Sequence, residues 1–240
     1  MIPISLIPIS TVCWLPCHRL IATRYPTVGL YDEIADPADL EFVFAIEALT
    51  NPRVRQELGT LSLVPPVDRV SGPGATLIMA AFTHLNPEGS RFSDGSFGVF
   101  YAARNLATAI AEVSHHRGRF LARTAESEID IDLRWIQANI AKSVHDIRAT
   151  SFSRENLAKI ASDVYHLEHY GAGQTLAGSL RRAGSIALAY DSVRLPGGQC
   201  VAVFVPRALT SAQAVGHLCL HWDGSRISHW FEKGSPQILK

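Results

Sequence analysis

The residues best suited to chemistry lie within residues 84–116. This stretch holds Arg91, a glycine-containing turn and Glu112. On a helix, Glu112 lies beside Thr108 and Ala109, the residues four and three positions earlier, and both are small. Small neighbours predict room for a ligand beside the carboxylate. Because most helical glutamates are simply solvated, the pattern alone does not establish a site.

Other residues with reactive side chains match no standard motif. Ser192 precedes a Pro-Gly-Gly turn without the G-x-S-x-G pattern of a hydrolase nucleophile. His115 and His116 lack metal-binding spacing, and the Cys13-x3-Cys17 pair has no second ligand pair. The sequence also lacks a Walker A motif and a G-x-G-x-x-G dinucleotide loop. We expect the four cysteines to be free or buried thiols.

Helices are predicted in the first two thirds of the chain and strands mainly in the last third. Asp36 as N-cap and Pro37 at the first position predict a helix over 37–51, and Asn105 is the predicted cap of another. Without regular βαβ alternation, the fold class is α+β. Further helices are expected from Ser153 and over 174–182, and strands over 97–102, 186–190, 200–205, 218–222 and 227–231.

Composition excludes several classes of protein. The chain has 240 residues, 22 basic and 22 acidic, with 47% hydrophobic and 18% charged residues. This balance excludes a disordered polyelectrolyte and disfavours a strongly electrostatic duplex DNA binder. Zero net charge offers little resistance to self-association. The apolar, proline-containing N-terminus is a poor signal peptide, and no apolar run is long enough for a membrane helix. We therefore expect a cytoplasmic protein whose first residues are extended.

Several short motifs, in this order along the chain, resemble the RES-domain family, the toxins of bacterial Xre–RES toxin–antitoxin modules. The family is named for its Arg, Glu and Ser. The similarity spans roughly Arg19 to Ile227, although Phe92 replaces the family's usual tryptophan. The matching segments are 17–21, Arg91–Ser93 with Gly95 and Gly98, Val99–Ala103, Glu112, Tyr190–Arg194 and Pro196–Gly198.

The resemblance implies a fold similar to ADP-ribosyltransferases, with a split, mostly antiparallel sheet and helices around an NAD cleft. It implies a single RES domain over residues 1–240, with an N-terminal helical extension at about 30–75. The family consumes NAD as a substrate and requires no metal. ADP-ribose is then transferred to a protein target, to water or to phosphate.

The resemblance also assigns roles to individual residues. Glu112 would stabilise positive charge that develops on the ribose, and Arg19 and Arg91 would bind the pyrophosphate of NAD. Tyr101 would present its ring and hydroxyl to the nicotinamide, and Ser192 would orient the nicotinamide ribose or amide. Arg24 is the alternative to Arg19 as the first arginine, and Arg19 is preferred because of its strand-like context.

The predicted function is a toxin that cleaves NAD at the nicotinamide–ribose bond. The alternative is a non-catalytic module of the same fold that binds a nucleotide or a partner. The expected partner is a cognate Xre-family antitoxin, which would supply DNA binding, so this chain would contact neither nucleic acid nor membrane. A protein target for ADP-ribosylation and a homo-oligomer within the complex complete the expected interactions.

Overall fold

The computed structural model describes most of the chain outside two longer gaps. The described residues are 3–23, 29, 31–32, 36–37, 40–41, 59–151 and 163–234. Most of the helix predicted over 37–51, most of the helix expected from Ser153, and the alternative Arg24 lie outside them. Val164, assigned to the second of these helices, is described and lies in a turn.

Three α-helices have both ends within the described residues: α1 (Ala75–Thr83), α2 (Leu106–Leu121) and α3 (Gly171–Arg182). The Asn105 cap of α2 is confirmed, because its Oδ1 accepts the backbone N–H of Thr108 at 2.9 Å. Helix α3 begins three residues before its predicted start. Helix α1 was not predicted: nearly all its residues are apolar, so its sequence has no amphipathic period.

The described sheet has more strands than predicted, and its last two strands are longer than expected. The four strands expected late in the chain are confirmed, and the strand expected over 97–102 begins only at Phe100. The long strand β3 was missed, as was the full length of β1. The strands are β1 (Ile9–Ala22), β2 (Phe100–Ala103), β3 (Ile129–Asp146), β4 (Ala187–Asp191), β5 (Gln199–Val203), β6 (Thr210–Trp222) and β7 (Ile227–Glu232).

The sheet is split into two halves. The small half contains β2, β5 and β4, and the large half contains β1, β3, β6 and β7. The halves meet at two narrow junctions, where His18 of β1 pairs with Ala103 of β2, and His145 and Asp146 of β3 pair with β4. All pairings are antiparallel except β3–β4. The split, mostly antiparallel sheet and the α+β class are therefore confirmed.

Helix α2 lies across the split between the halves. Ala109 packs in one buried cluster with residues of the small half, whereas Ile110 packs in another against Leu133 and Leu218 of the large half. Consecutive helical residues point about 100° apart, so one helix contacts both clusters. Glu112 lies one turn beyond Ala109 and is thereby held near the division between the halves.

The Pro- and Gly-rich stretch over 63–74 is a loop, and residues before and after it in the chain pack in the same core. Tyr31 and Leu40, before it in the chain, pack in the same buried cluster as Met79 and Phe82 of α1. The stretch contains a short 3-10 turn, Pro66–Asp68. The residues before and after this stretch therefore contribute to one buried cluster.

The cysteines are free, as expected. Cys13 is exposed, and Cys17, Cys200 and Cys219 are buried. Burial raises the pKa of Cys17 to about 12, so its thiol stays protonated and unreactive at neutral pH. Within the described residues, no helix is both long and apolar enough to cross a bilayer.

Candidate active site

Glu112 and Ser192 form a direct hydrogen bond. The Ser192 hydroxyl donates to Glu112 Oε1 at 2.5 Å, which joins helix α2 to the loop after strand β4. The same Ser192 oxygen accepts the backbone N–H groups of Arg194 and Leu195, each at 3.1 Å. Its only proton is thus directed at the carboxylate. This hydrogen bond holds the Glu112 carboxylate in one orientation against the loop.

Close packing of Gly198 on Thr108 positions the Ser192 loop. A Cβ atom at Gly198 would lie 2.8 Å from both Cγ2 and Oγ1 of Thr108, which is fully buried. The Ser192 N–H donates to the Gly198 carbonyl at 2.8 Å, so the loop closes on itself. The expectation of free space at this small residue was wrong: Thr108 makes room for the loop rather than for a ligand.

Tyr101 anchors the loop that carries Arg91. Its hydroxyl accepts the Phe92 backbone N–H at 2.9 Å and lies 2.8 Å from the Ser90 Oγ. Burial raises the pKa of Tyr101 to about 12, so the hydroxyl is protonated at neutral pH and can donate one hydrogen bond. The hydroxyl expected to reach nicotinamide therefore already contacts two groups of the protein.

Arg19 lies at the junction of β1 with β2. Its NH1 donates to the Tyr101 carbonyl at 3.1 Å, and its guanidinium lies 4.5 Å from the centre of the Phe100 ring. Burial lowers the pKa of Arg19 to about 10, which leaves it positively charged at neutral pH. The structure thus brings Arg19 to Tyr101 from the opposite half of the sheet.

Arg91 is buried against the segment that precedes α3. Its NH1 donates to the carbonyls of Val164 and His166 at 3.0 and 2.9 Å, and its guanidinium lies 4.7 Å from the centre of the Tyr170 ring. These contacts fix the guanidinium in place. The two hydrogen bonds use NH1, so one of the guanidinium nitrogens that were expected to bind phosphate already has partners in the protein.

A polar stripe on α2 extends the site beyond the predicted residues. His115 and Arg119 follow Glu112 at positions i+3 and i+7, on the same face of the helix. Arg119 lies 3.5 Å from Glu168 and near the Tyr170 ring. The spacing was visible in the sequence and could have indicated this stripe, whereas its partners come from a distant segment.

Arg194 completes a positively charged wall of the site, which also contains His115, Arg119 and Tyr170. Its NH2 donates to the Leu167 carbonyl at 2.5 Å and lies 4.0 Å from Glu168. Burial, followed by the charge of Arg194, lowers the pKa of His115. Arg194 is the last residue of the predicted serine motif, Tyr190–Arg194, but was not assigned a role from the sequence.

Two buried polar atoms in this wall have no hydrogen-bond partner among the described residues: His115 Nε2 and Tyr170 OH. The first histidine of the 84–116 stretch, His84, directly follows α1, and its Nδ1 lies 3.2 Å from Thr83 Oγ1. The site thus combines a carboxylate held by Ser192 with arginines on neighbouring segments that could attract phosphate.

Comparison with known protein families identifies the family of this chain. The model of the RES domain matches residues 66–223, a range that contains Arg91, Tyr101, Glu112 and Ser192 but not Arg19. The uncharacterized protein y4oC of Sinorhizobium fredii is 30% identical over 213 residues, covering 88% of this chain and 84% of that protein. In the crystal structure of the M. tuberculosis MbcT–MbcA toxin–antitoxin complex, one chain matches with a TM-score of 0.42 at 8% identity, over 86% of each chain.

Proposed function

Since the chain belongs to the RES domain family, we propose that it is a toxin of a toxin–antitoxin module that breaks the nicotinamide–ribose bond of NAD. The observation that carries this proposal is the 2.5 Å hydrogen bond between Ser192 and Glu112. It fixes the Glu112 carboxylate against the loop that carries Arg194, and the charges of Arg194 and Arg91 act on His115, one helical turn further along α2. A negative charge next to phosphate-binding cations matches a substrate with a cationic ring and a pyrophosphate.

In the proposed reaction, the electron pair of the C1′–N bond leaves with nicotinamide, which departs as a neutral molecule. Positive charge then develops on the ribose, as in the oxocarbenium-like transition states of glycoside cleavage. Glu112 would stabilise this charge and hold the ribose hydroxyls. Because Ser192 donates its proton to Oε1, it fixes the orientation of the carboxylate before the substrate binds.

The positive charges of the site would bind the pyrophosphate. Arg19 and Arg91 each use NH1 for carbonyl groups of the protein, so phosphate would be bound by their other nitrogens. Arg194 and Arg119 add two positive charges on the Glu112 side. Tyr101 would act mainly by anchoring the Arg91 loop, with its ring available to the nicotinamide.

The ADP-ribose would go to a protein target, to water or to phosphate. Water and phosphate need only a path to C1′, whereas a protein needs a docking surface beside the site. The proposal includes a cognate Xre-family antitoxin that neutralises the toxin and binds DNA. The zero net charge of this chain is compatible with that division of labour.

The test is nicotinamide release from NAD by purified, antitoxin-free protein. Wild type should release nicotinamide, and Glu112→Ala should abolish the release without changing the unfolding midpoint. Glu126→Ala, which removes an exposed glutamate beyond the end of α2, is the matched control and should behave as wild type. The rate of nicotinamide release is then measured with and without added phosphate or cell extract. Its dependence on these additions identifies whether phosphate, a protein or water accepts the ADP-ribose.

Two results would contradict the proposal. Wild-type turnover by a folded Glu112→Ala variant would remove Glu112 from the reaction. Absence of release by folded wild type under every condition would favour the non-catalytic binding module of the same fold.

A further inference from the structure

A second positively charged site lies at the opposite end of β4 from Ser192. It is a cavity of about 290 Å³ between the end of α3 and the 3-10 turn after β5. Ile186, directly before β4, lines this cavity, whereas Ser192 directly follows the strand. At about 3.3 Å per residue, the six steps from Ile186 to Ser192 separate the two sites by roughly 20 Å.

Three guanidinium groups line the cavity against one carboxylate. Arg181 and Arg182 come from the last turn of α3, and Arg207 comes from the turn after β5. Asp68 is the only acidic residue in the lining, and it accepts a hydrogen bond from Arg207 Nε at 2.5 Å. The described lining thus carries a net charge of +2, from three arginines and one aspartate.

The arginines are positioned by contacts that leave most of their nitrogens available. The Arg181 guanidinium lies 4.7 Å from the centre of the Phe97 ring, and that ring packs edge-on against Phe204. Arg182 donates from NH2 to Ser179 Oγ at 3.2 Å. Among the described residues, neither of these two arginines has a carboxylate oxygen within 4.0 Å. Their charges are therefore free to pair with an anion.

Apart from Ser185, the rest of the lining is apolar, and the cavity limits the size of the ligand. Leu63, Pro65 and Ile186 offer partly exposed carbon surface beside the arginines. A volume near 290 Å³ lies at the lower end of the usual range for ligand pockets, about 300 to 1,000 Å³, and is too small to bury a dinucleotide. The cavity therefore suits a compact anion with a small apolar body.

We propose that this cavity binds a small phosphate monoester, with Arg181, Arg182 and Arg207 as ligands of the phosphate. A phosphate monoester is close to a dianion at neutral pH, which matches the net charge of the lining. Guanidinium groups bind phosphate oxygens through paired, charge-assisted hydrogen bonds. The apolar part of the ligand would contact Leu63 and Ile186.

Titration calorimetry with phenyl phosphate tests the proposal. We expect one binding site, with weaker binding of inorganic phosphate, which lacks the ring, and of benzoate, which carries one charge. Arg182→Ala and Arg207→Ala should each weaken binding about tenfold, the effect of losing a charge-assisted hydrogen bond. Arg123→Ala removes an exposed arginine after α2 and should leave the affinity unchanged.

Asp68→Asn separates a binding role from a folding defect. Removing this carboxylate frees Arg207 and raises the net charge of the lining, so phenyl phosphate should bind several-fold more tightly. Three results would overturn the proposal: no binding to wild type, unchanged affinity in Arg182→Ala and Arg207→Ala, or a loss of affinity caused instead by Arg194→Ala. The last result would place the probe in the Glu112 site.

Discussion

The small half of the sheet and the outer strand β7 of the large half differ in burial and in what they contribute to the site. In the small half, β4 is buried from Ala187 to Tyr190 and β5 from Cys200 to Val203. In the large half, β7 has no buried residue, and Trp230 and Phe231 are exposed. Interior packing tolerates little change, whereas exposed strands accept substitutions. The site should therefore depend on the small half and its junctions more than on the outer strands.

The predicted site residues follow the same division. Tyr101 lies on β2, and Ser192 follows β4, both in the small half. Glu112 comes from the helix across the split, and the large half contributes only Arg19 among the predicted residues. The candidate site is thus positioned mainly by buried strands, and one arginine reaches it across a junction.

The largest effect on stability is expected at the junction of β3 with β4. The Asp146 carboxylate is fully buried and accepts hydrogen bonds from Arg148 Nε and NH2 at 2.9 and 2.6 Å and from Ser151 Oγ at 2.6 Å. Asp146→Asn leaves the guanidinium without its counter-charge and should lower the free energy of unfolding by about 3 kcal/mol. Urea unfolding measures this, and a change below about 0.5 kcal/mol would contradict it.

The same carboxylate predicts a pH dependence. Burial alone would raise the pKa of Asp146, but hydrogen bonds from Arg148 and Ser151 outweigh it and lower the pKa below 3.8. A lowered pKa in the folded state stabilises the protein above pH 3.8, and this stabilisation is lost as the pH falls below that value. The stability difference between wild type and Asp146→Asn should therefore be full at pH 7 and shrink in acid.

The same substitution in each half gives a matched comparison. Gly198→Ala would place a Cβ 2.8 Å from Thr108, whereas Gly216→Ala in β6 would meet Trp135 at an ordinary 3.6 Å. Overpacking at Gly198 should cost about 1–3 kcal/mol of unfolding free energy and weaken the Glu112–Ser192 contact. Gly216→Ala should retain activity and stability. Equal effects of the two changes would remove the distinction between the halves.

The smallest effect is expected at the exposed end of the large half. Lys233 donates to Asp132 at 2.5 Å, but both side chains are about two-fifths exposed. Exposed ion pairs contribute little because water and salt screen them. Lys233→Ala should leave the urea midpoint and nicotinamide release at wild-type values, and a clear loss of either would show that the outer strands matter to the site.

Local signals explain which elements of the fold were predictable. The short apolar strands β4 and β5 stand between clear turn signals, and Asn105 is a strong cap. Strand β3 was missed because its exposed side carries polar residues, such as Asp130 and Asp132, which weaken its strand signal. Helix α1 was missed because it is apolar on nearly all sides.

The site was predictable only through the resemblance. Glu112 and Ser192 are far apart in the sequence, and no local pattern shows that their side chains meet. The contact of Thr108 with Gly198 depends on how the loop after β4 docks on α2, which is a property of tertiary packing. The contributions of Arg194 and Tyr170 to the site were not predictable for the same reason, because their contacts depend on how the segment before α3 packs.

Glu112, held by Ser192, is the proposed catalytic carboxylate. A double-mutant cycle on the rate of nicotinamide release tests it with Glu112→Gln, Ser192→Ala and the double variant. Glu112→Gln should lower the rate about 1,000-fold and Ser192→Ala about tenfold, and the double variant should be no slower than Glu112→Gln alone. Additive losses would show that Ser192 acts independently of Glu112, and a wild-type rate in folded Glu112→Gln would contradict the claim itself.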